Sequence, residues 1–433
     1  TNVGNDRTLF AFMDSYINDE SRPVLGLGFK DSLGGLLTSF KPTQTKLTPF
    51  FSNLLPEETM RNYLAERAGV NPAREFFLLW VLGRDLAGAI TVEPANGEAL
   101  PANVLQDIED ETKTDGPMRF SLAGVQLKFS AVQQANGGLT IPATGQGGSW
   151  IVKLPSPRFE AVPENEYSMM ELARMLGMDV PETQLLPINR IANIPNGIGK
   201  FGDSAFVIKR FDRADGQTVH IEDFAQVFGV YPQDKYKKAS MRNIAHVIGI
   251  EGQDEDIAEF TRRLVFNTLI GNADMHLKNW SLIYKDKRTA SIAPAYDFVS
   301  TIPYILDDSA SLKVSRSKKF SDFTLDELSH LAAKAMLPEK LVLDTAKQTV
   351  AGFYEVWAKE KAHIKHTIQQ DLLKYRHSLM EQYRNQLEAE ILLYKQSDAY
   401  VDAINKRIAS FAQDHQSFVI VLDVSDQGRF KYE

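Results

Sequence analysis

LIGNADMHLKNWSLIY, residues Leu269 to Tyr284, is the stretch on which the fold turns. An apolar run ends at Gly271, the polar loop NADMHLKN follows, and WSLIY resumes as an apolar, strand-like segment. Asp274 and Asn279 stand five residues apart in that loop, and a further acid, Asp297 in APAYDFVS, follows 23 residues after Asp274. Phosphoryl transfer from a nucleotide needs such a set. One carboxylate accepts or orients the hydroxyl proton, while an amide oxygen and a second carboxylate hold Mg²⁺ against the phosphates. Oxygen-only ligands suit Mg²⁺ and not zinc. Taken alone, Asp-x₄-Asn is common, and a plain polar loop between two buried elements is the better reading.

Upstream segments supply company for it. SLAGVQLK (121–128) places Gly124 between strand-like FSL and LKF, where a small-residue turn lets backbone N–H groups approach phosphates; an ordinary hairpin fits the same residues. SWIVKLP (149–155) reads as a strand with Lys153 inside an apolar run. A lysine there needs an anionic partner, or a stem long enough to bring its head to water. Phosphate oxygens are one such partner, and Glu166 on the following helix-like PENEYSMMELARMLG (163–177) is another, as in the Lys–Glu pair of kinases. AFVIKRFDR (205–213) runs a strand into a turn. The order of these parts is Gly loop, strand Lys, helix Glu, strand-to-hinge, Asp-x₄-Asn, metal Asp. That order belongs to an α+β, bilobal protein-kinase-like fold, and all six together are much less common by chance than any one.

Composition narrows the class. With 433 residues, 43% hydrophobic and 24% charged, the chain has ordinary globular proportions and is long enough for two to four units. A net charge of −8 argues against a whole-surface nucleic-acid binder. Cysteine is absent, which excludes disulfides and thiolate metal sites and suits a cytoplasmic location. The longest apolar runs, such as FFLLWVL (76–82), are far too short for a membrane span, and no signal peptide is expected at TNVGNDRTLF. Further expectations are a helix over 56–69, a strand over 88–94 (GAITVEP), long helices after Pro338 and a terminal strand at SFVIVLDV (417–424). Boundaries are expected near residues 115 and 215, giving an α/β subdomain (1–115), a lobe with phosphate loop and hinge (116–215) and a mainly helical lobe (216–433).

These residues resemble the HipA family, the Ser/Thr kinase toxins of HipA–HipB toxin–antitoxin pairs. The likeness rests on FFSNLLPE (50–57), GRDLAGAITVEP (83–94), SLAGVQLK, IVKLP (151–155), ENEY (164–167), VIKRFDR (207–213), GNADMHLKNWS (271–281) and APAYDFVS (293–300). The resemblance implies Asp274 as catalytic residue and Asn279 and Asp297 as Mg²⁺ ligands. It implies a nucleotide site for ATP built from Ala123, Gly124, Val125, Gln126, Leu127 and Lys128 (phosphate loop), Lys153, and Lys209, Arg210 and Phe211 (adenine hinge). His276, Leu277, Lys278, Asn279, Tyr296 and Asp297 complete that site. It also implies Ser121 as an autophosphorylation site, where nearly two added negative charges would disfavour a loop meant to receive phosphates. The implied partners are a HipB-like antitoxin dimer, operator DNA reached through it, and glutamate–tRNA ligase as protein substrate. The basic cluster Lys313, Arg316, Lys318 and Lys319 reads as a solvated loop, with any DNA contact auxiliary. A small-molecule or lipid kinase of the same fold is the alternative reading, and a nucleotide-binding corepressor the non-enzymatic one.

Overall fold

Aromatic residues gather the beginning of the chain. In this computed structural model, which describes residues 1–4, 6–101, 127–134, 137–142, 147–194, 202–214, 216–305, 309–382, 402 and 405–406, the Phe10 ring meets those of Phe12, Phe29, Phe40 and Phe51 at 4.9 to 5.3 Å. The expected helix over 56–69 forms as Glu58–Ala68 and stops at Gly69, whose φ of 66° closes it in the left-handed region. FFLLWVL forms the Glu75–Leu82 helix and buries Phe77, Leu78 and Leu79 with Leu47, Leu55 and Val70. Glu75 is buried at its start because it accepts from the Leu47 N–H (2.9 Å) and the Ser52 hydroxyl (3.0 Å) and pairs with Arg61 (3.1 Å).

The expected strand over 88–94 is a correction: these residues form turn and extended chain without a sheet partner. Their alternation instead packs Ile90 and Val92 against the cluster around Leu78. The Val92 N–H donates to Gly83 O at 2.8 Å and the Gly88 N–H to Asp212 Oδ2 at 2.8 Å, so two of the amides a neighbouring strand would need are already used.

A six-stranded sheet forms the smaller lobe, in the order Thr183–Pro187, Ser204–Lys209, Trp150–Lys153, Lys128–Gln133, Leu139–Thr140, Ile191–Ala192. Its central strands are antiparallel, with Lys153 opposite Phe206 on one side and Lys128 on the other. The Val162–Met175 helix packs on this sheet, with Pro163 in its first turn and Met169, Met170, Leu172 and Ala173 buried.

The larger lobe is mainly helical. Helices Met241–Glu251, Asp254–Leu269, Leu325–Ala335 and Glu339–Gln382 share a core through Ile244, Leu264, Phe266, Leu331 and Phe353. Gly249 allows the first of these to approach Leu337, since a Cβ there would lie 2.4 Å from its Cδ2. The helix expected after Pro338 is a single run of 44 residues. A small antiparallel sheet, His220–Asp223, Ser281–Tyr284 and Ser291–Ile292, carries WSLIY and so holds the end of the polar loop. Together these make an α+β, bilobal protein-kinase-like fold. SFVIVLDV lies outside the described residues. No helix among the described residues is long and apolar enough to cross a membrane.

Candidate active site

The Asp254–Leu269 helix ends in Ile270 and Gly271, which turn the chain into the NADMHLKN loop. Gly271 has φ 63°, and a Cβ there would lie 2.1 Å from Ile302 Cδ1. Asn272, 1% exposed, then organises the loop: its amide donates to Asn267 Oδ1 (2.8 Å) and Asp297 O (3.3 Å), and its Oδ1 accepts from the Asp274 N–H (3.0 Å). One buried side chain thus ties the Asp274 loop to the Asp297 segment. The Ala273 N–H donates to Thr301 Oγ1 at 2.8 Å and adds a second tie.

Asp274 reaches the surface with its carboxylate held from one side, where the Tyr236 hydroxyl donates to Oδ1 at 2.9 Å. Although the residue is exposed, the protein packed around its carboxylate pushes this acid above the ordinary carboxylate range, against the Tyr236 hydrogen bond and the Lys235 charge, which lower it. The Asn279 amide donates to Asp274 O at 2.8 Å, leaving its Oδ1 as the atom for a cation. Asp297 takes a left-handed backbone, φ 58°, which is strained for a residue with a side chain.

Lys153 lies between two carboxylates. Its ammonium pairs with Glu166 Oε1 at 2.5 Å and also with Asp297 Oδ1. One ammonium compensates one negative charge in full, so the more buried acid yields. Glu166, 1% exposed with Oε2 unpartnered, is pushed up to about 7 by burial, while Asp297, despite burial, is held at about 2 by Lys153 and Lys128. Asn165 fastens the same helix to the Asp297 segment by exchanging two hydrogen bonds with Ser300, Nδ2 to O at 2.9 Å and N to Oδ1 at 3.0 Å. Lys128 stands opposite Lys153 in the sheet, and burial, joined by the Lys153 and Lys278 charges and opposed by Asp297, pushes its ammonium below its ordinary value.

The remaining candidate residues fall in several places. Phe211 and Tyr296 bring their rings to 5.8 Å, and the Tyr296 hydroxyl donates to Lys278 O at 2.9 Å. At the strand-to-hinge turn the Lys209 N–H donates to Glu182 O and the Arg210 N–H to Ser149 O, both at 2.8 Å, so two of its amides are already engaged. The Lys209 ammonium stands exposed near Glu182. The Arg210 side chain turns to Asp212 and Asp85, and Leu277 is fully buried in the core of the larger lobe. His276 is buried, pushed down to about 3 by burial, and its Nδ1 has no partner. Lys278 pairs with Glu57 Oε1 at 2.9 Å. Leu127 packs at the edge of the sheet's core; Ala123, Gly124, Val125, Gln126 and Ser121 lie outside the described residues. In the basic cluster, Arg316 is paired with Glu327 and Asp326.

Sequence reasoning missed Tyr236, Lys235, Asn272 and a role for Glu57. The one signal was Asn272 itself, an amide immediately after the helix-ending Gly271, where it reaches back into the helix and forward to the next segment.

Known proteins share this sequence and fold. A family profile described as the HipA-like C-terminal domain matches residues 120–357, and one described as the HipA N-terminal domain matches residues 2–93. The chain is 57% identical over 367 residues to the Sinorhizobium fredii protein named "Putative kinase Y4dM", covering 84% of this chain and 89% of that one. It is 30% identical over 301 residues to the Serine/threonine-protein kinase toxin HipA of Shewanella oneidensis, covering 60% of this chain and 65% of that one. Among solved structures, the Shewanella oneidensis HipA, HipB and operator DNA complex shares the fold with a TM-score of 0.64 at 22% identity, covering 94% of this chain and 93% of that one. With both lobes and the N-terminal part accounted for, the chain belongs to the HipA family.

Proposed function

We propose that this protein is an ATP- and Mg²⁺-dependent protein serine/threonine kinase, the toxin of a toxin–antitoxin pair. The observation that carries the reading is the Lys153 ammonium between Glu166 and Asp297, facing a loop that presents Asp274 and Asn279. Among the described residues no three His, Cys, Asp or Glu side chains converge as a ready-made metal cage. That fits Mg²⁺, which takes one or two protein oxygens and fills its shell with phosphate and water. Asn279 Oδ1 and Asp297 would hold it, and bound there it would neutralise charge developing on the phosphates.

The chain's own groups do the rest. Lys153 and Lys128 attract phosphate oxygens, and Glu166 keeps Lys153 from swinging away. Asp274 accepts the proton of the acceptor hydroxyl as its oxygen bonds to the γ-phosphorus and the bond to the β-phosphate oxygen breaks, releasing ADP. Tyr236 orients the carboxylate for that step. Neutral His276 within the loop adds no positive charge that would compete for Asp274.

The Shewanella oneidensis neighbour, a complex of HipA with HipB and operator DNA, supports a HipB-like antitoxin and operator DNA as partners; co-repression of the operon and arrest of translation are the outcomes we put forward. Glutamate–tRNA ligase is the substrate we put forward, and Ser121 the autophosphorylation site that switches the enzyme off. Domain boundaries near residues 115 and 215 belong to the same reading. Incubation with γ-labelled ATP and Mg²⁺ tests it: the wild type should label itself and a protein acceptor, and Asp274→Ala should bind ATP but label neither. Absence of transfer by the wild type, or equal transfer by Asp274→Ala, would overturn the assignment.

A further inference from the structure

The N-terminal FFSNLLPE stretch reaches into the catalytic lobe. Phe50 O accepts from Gln226 Nε2 at 3.1 Å, and the Asn53 amide donates to Val230 O at 2.7 Å. Asn53 O accepts from the Lys278 ammonium at 3.0 Å. The stretch ends in Glu57, directly ahead of the Glu58–Ala68 helix. Its two carboxylate oxygens are divided between two lysines of the larger lobe: Oε1 takes Lys278 and Oε2 takes Lys235, each at 2.9 Å. Lys278 is the residue before Asn279 within the Asp274 loop. Lys235 precedes Tyr236, the residue whose hydroxyl holds Asp274.

We infer that Glu57 is a positioning residue of the phosphotransfer reaction, a clamp by which the N-terminal part of the chain sets the catalytic loop. The inference rests on the kinase reading and deepens it. Glu57 holds two like charges side by side, so its loss does more than delete two contacts. Lys235 and Lys278 would then repel each other, pushing apart the segments that carry Tyr236 and Asn279. Burial pushes the Glu57 acid up, and Lys278 and Lys235 more than offset this, holding it at about 2. The clamp is therefore charged from mildly acidic pH upward. Because its contacts run to the segments that carry Tyr236 and the Asp274 loop, it governs how well Asp274 is aimed more than how tightly ATP is held.

Glu57→Gln keeps the shape and removes the charge. On wild-type, Glu57→Gln and Glu57→Gln/Lys235→Met proteins, kinetics with ATP as varied substrate should show kcat reduced about 10- to 100-fold in the single variant, the range a misaimed catalytic group produces. The KM for ATP should move less than about 3-fold. The double variant should recover much of kcat, because it removes the repulsion; a merely structural role predicts that it would be worse. Hydrogen exchange is read on the same proteins without nucleotide. The His276 and Asn279 amides, which donate to Asp274 O (2.8 Å) and His276 O (3.0 Å), should exchange about tenfold faster in Glu57→Gln and recover in the double variant. Unchanged loop exchange in Glu57→Gln, or a double variant no better than the single one, overturns the clamp. Absence of transfer by the wild type would sink the kinase reading and leave the exchange comparison to decide the clamp.

Discussion

Glu166→Gln separates burial from ion pairing at the centre of the site. Glu166 is 1% exposed, one oxygen pairs with Lys153 and the other has no partner. Burial therefore pushes its acid from 4.5 to about 7 in the folded chain. A carboxyl raised in the folded state contributes stability that is fully present below its unfolded value and lost as pH rises through its folded value. At roughly 1.4 kcal/mol for each unit, the rise amounts to about 3 kcal/mol, spent between about pH 4.5 and 7. Gln cannot ionise, so the variant should gain about 3 kcal/mol relative to wild type across that window. Urea denaturation of both proteins at half-unit pH steps, followed by tryptophan fluorescence, measures the difference. Phosphotransfer should fall meanwhile, since a neutral amide holds Lys153 less firmly. Parallel stability curves, or a difference that shrinks as pH rises, would mean that attraction to Lys153 outweighs burial and that Glu166 is ionised throughout.

Two further substitutions probe the loop. Gly271→Ala forces a side chain into a left-handed backbone and against Ile302, and should cost about 1–3 kcal/mol in thermal or urea unfolding; no measurable change would show that the turn can relax. Tyr236→Phe removes a hydrogen bond to the charged form of Asp274. It should raise that acid further, move the acidic limb of the kcat profile to higher pH and lower kcat about 3- to 10-fold, whereas an unshifted profile would count against Tyr236 as orienter.

What was legible in the sequence was what local chemistry compels. Lys153 inside an apolar strand demanded an anionic partner, and Glu166 supplies it with Asp297 alongside. Gly69 and Pro163 punctuate helices where such residues do. The 88–94 stretch misled because alternation reports which residues face a core, not whether a neighbouring strand is present. Here Gly88 is pinned to Asp212, and a Cβ on it would lie 2.9 Å from Ile221 N. Tyr236 and Glu57 were invisible as site residues because their partners stand 38 residues away at Asp274 and far downstream at Lys235 and Lys278. No periodicity spans such separations. Arg210 and Leu277 occupy motif positions yet direct their side chains away from the cleft, which only packing decides.

The two N-terminal motifs touch the Asp274 loop and the turn after the Ser204–Lys209 strand, and this constrains what that part of the chain can be. FFSNLLPE holds the Asp274 loop through Asn53 and Glu57. At the turn, GRDLAG brings Asp85 to Arg210 (3.3 Å) and Arg213 (2.9 Å), both of which also pair with Asp212 at 2.9 Å. Leu86 O accepts from both guanidiniums, and Gly88 N–H closes the set on Asp212. Two arginines and two aspartates balance in charge, and all four are largely buried. Removing any one would leave an uncompensated charge, a loss of about 3–5 kcal/mol where such networks are broken. The network sits on the residues that follow the Ser204–Lys209 strand, where the two lobes join. A body fixed both to that junction and to the catalytic loop spans the two parts whose relative placement sets the cleft. Any partner that shifted it would therefore act on hinge and loop together.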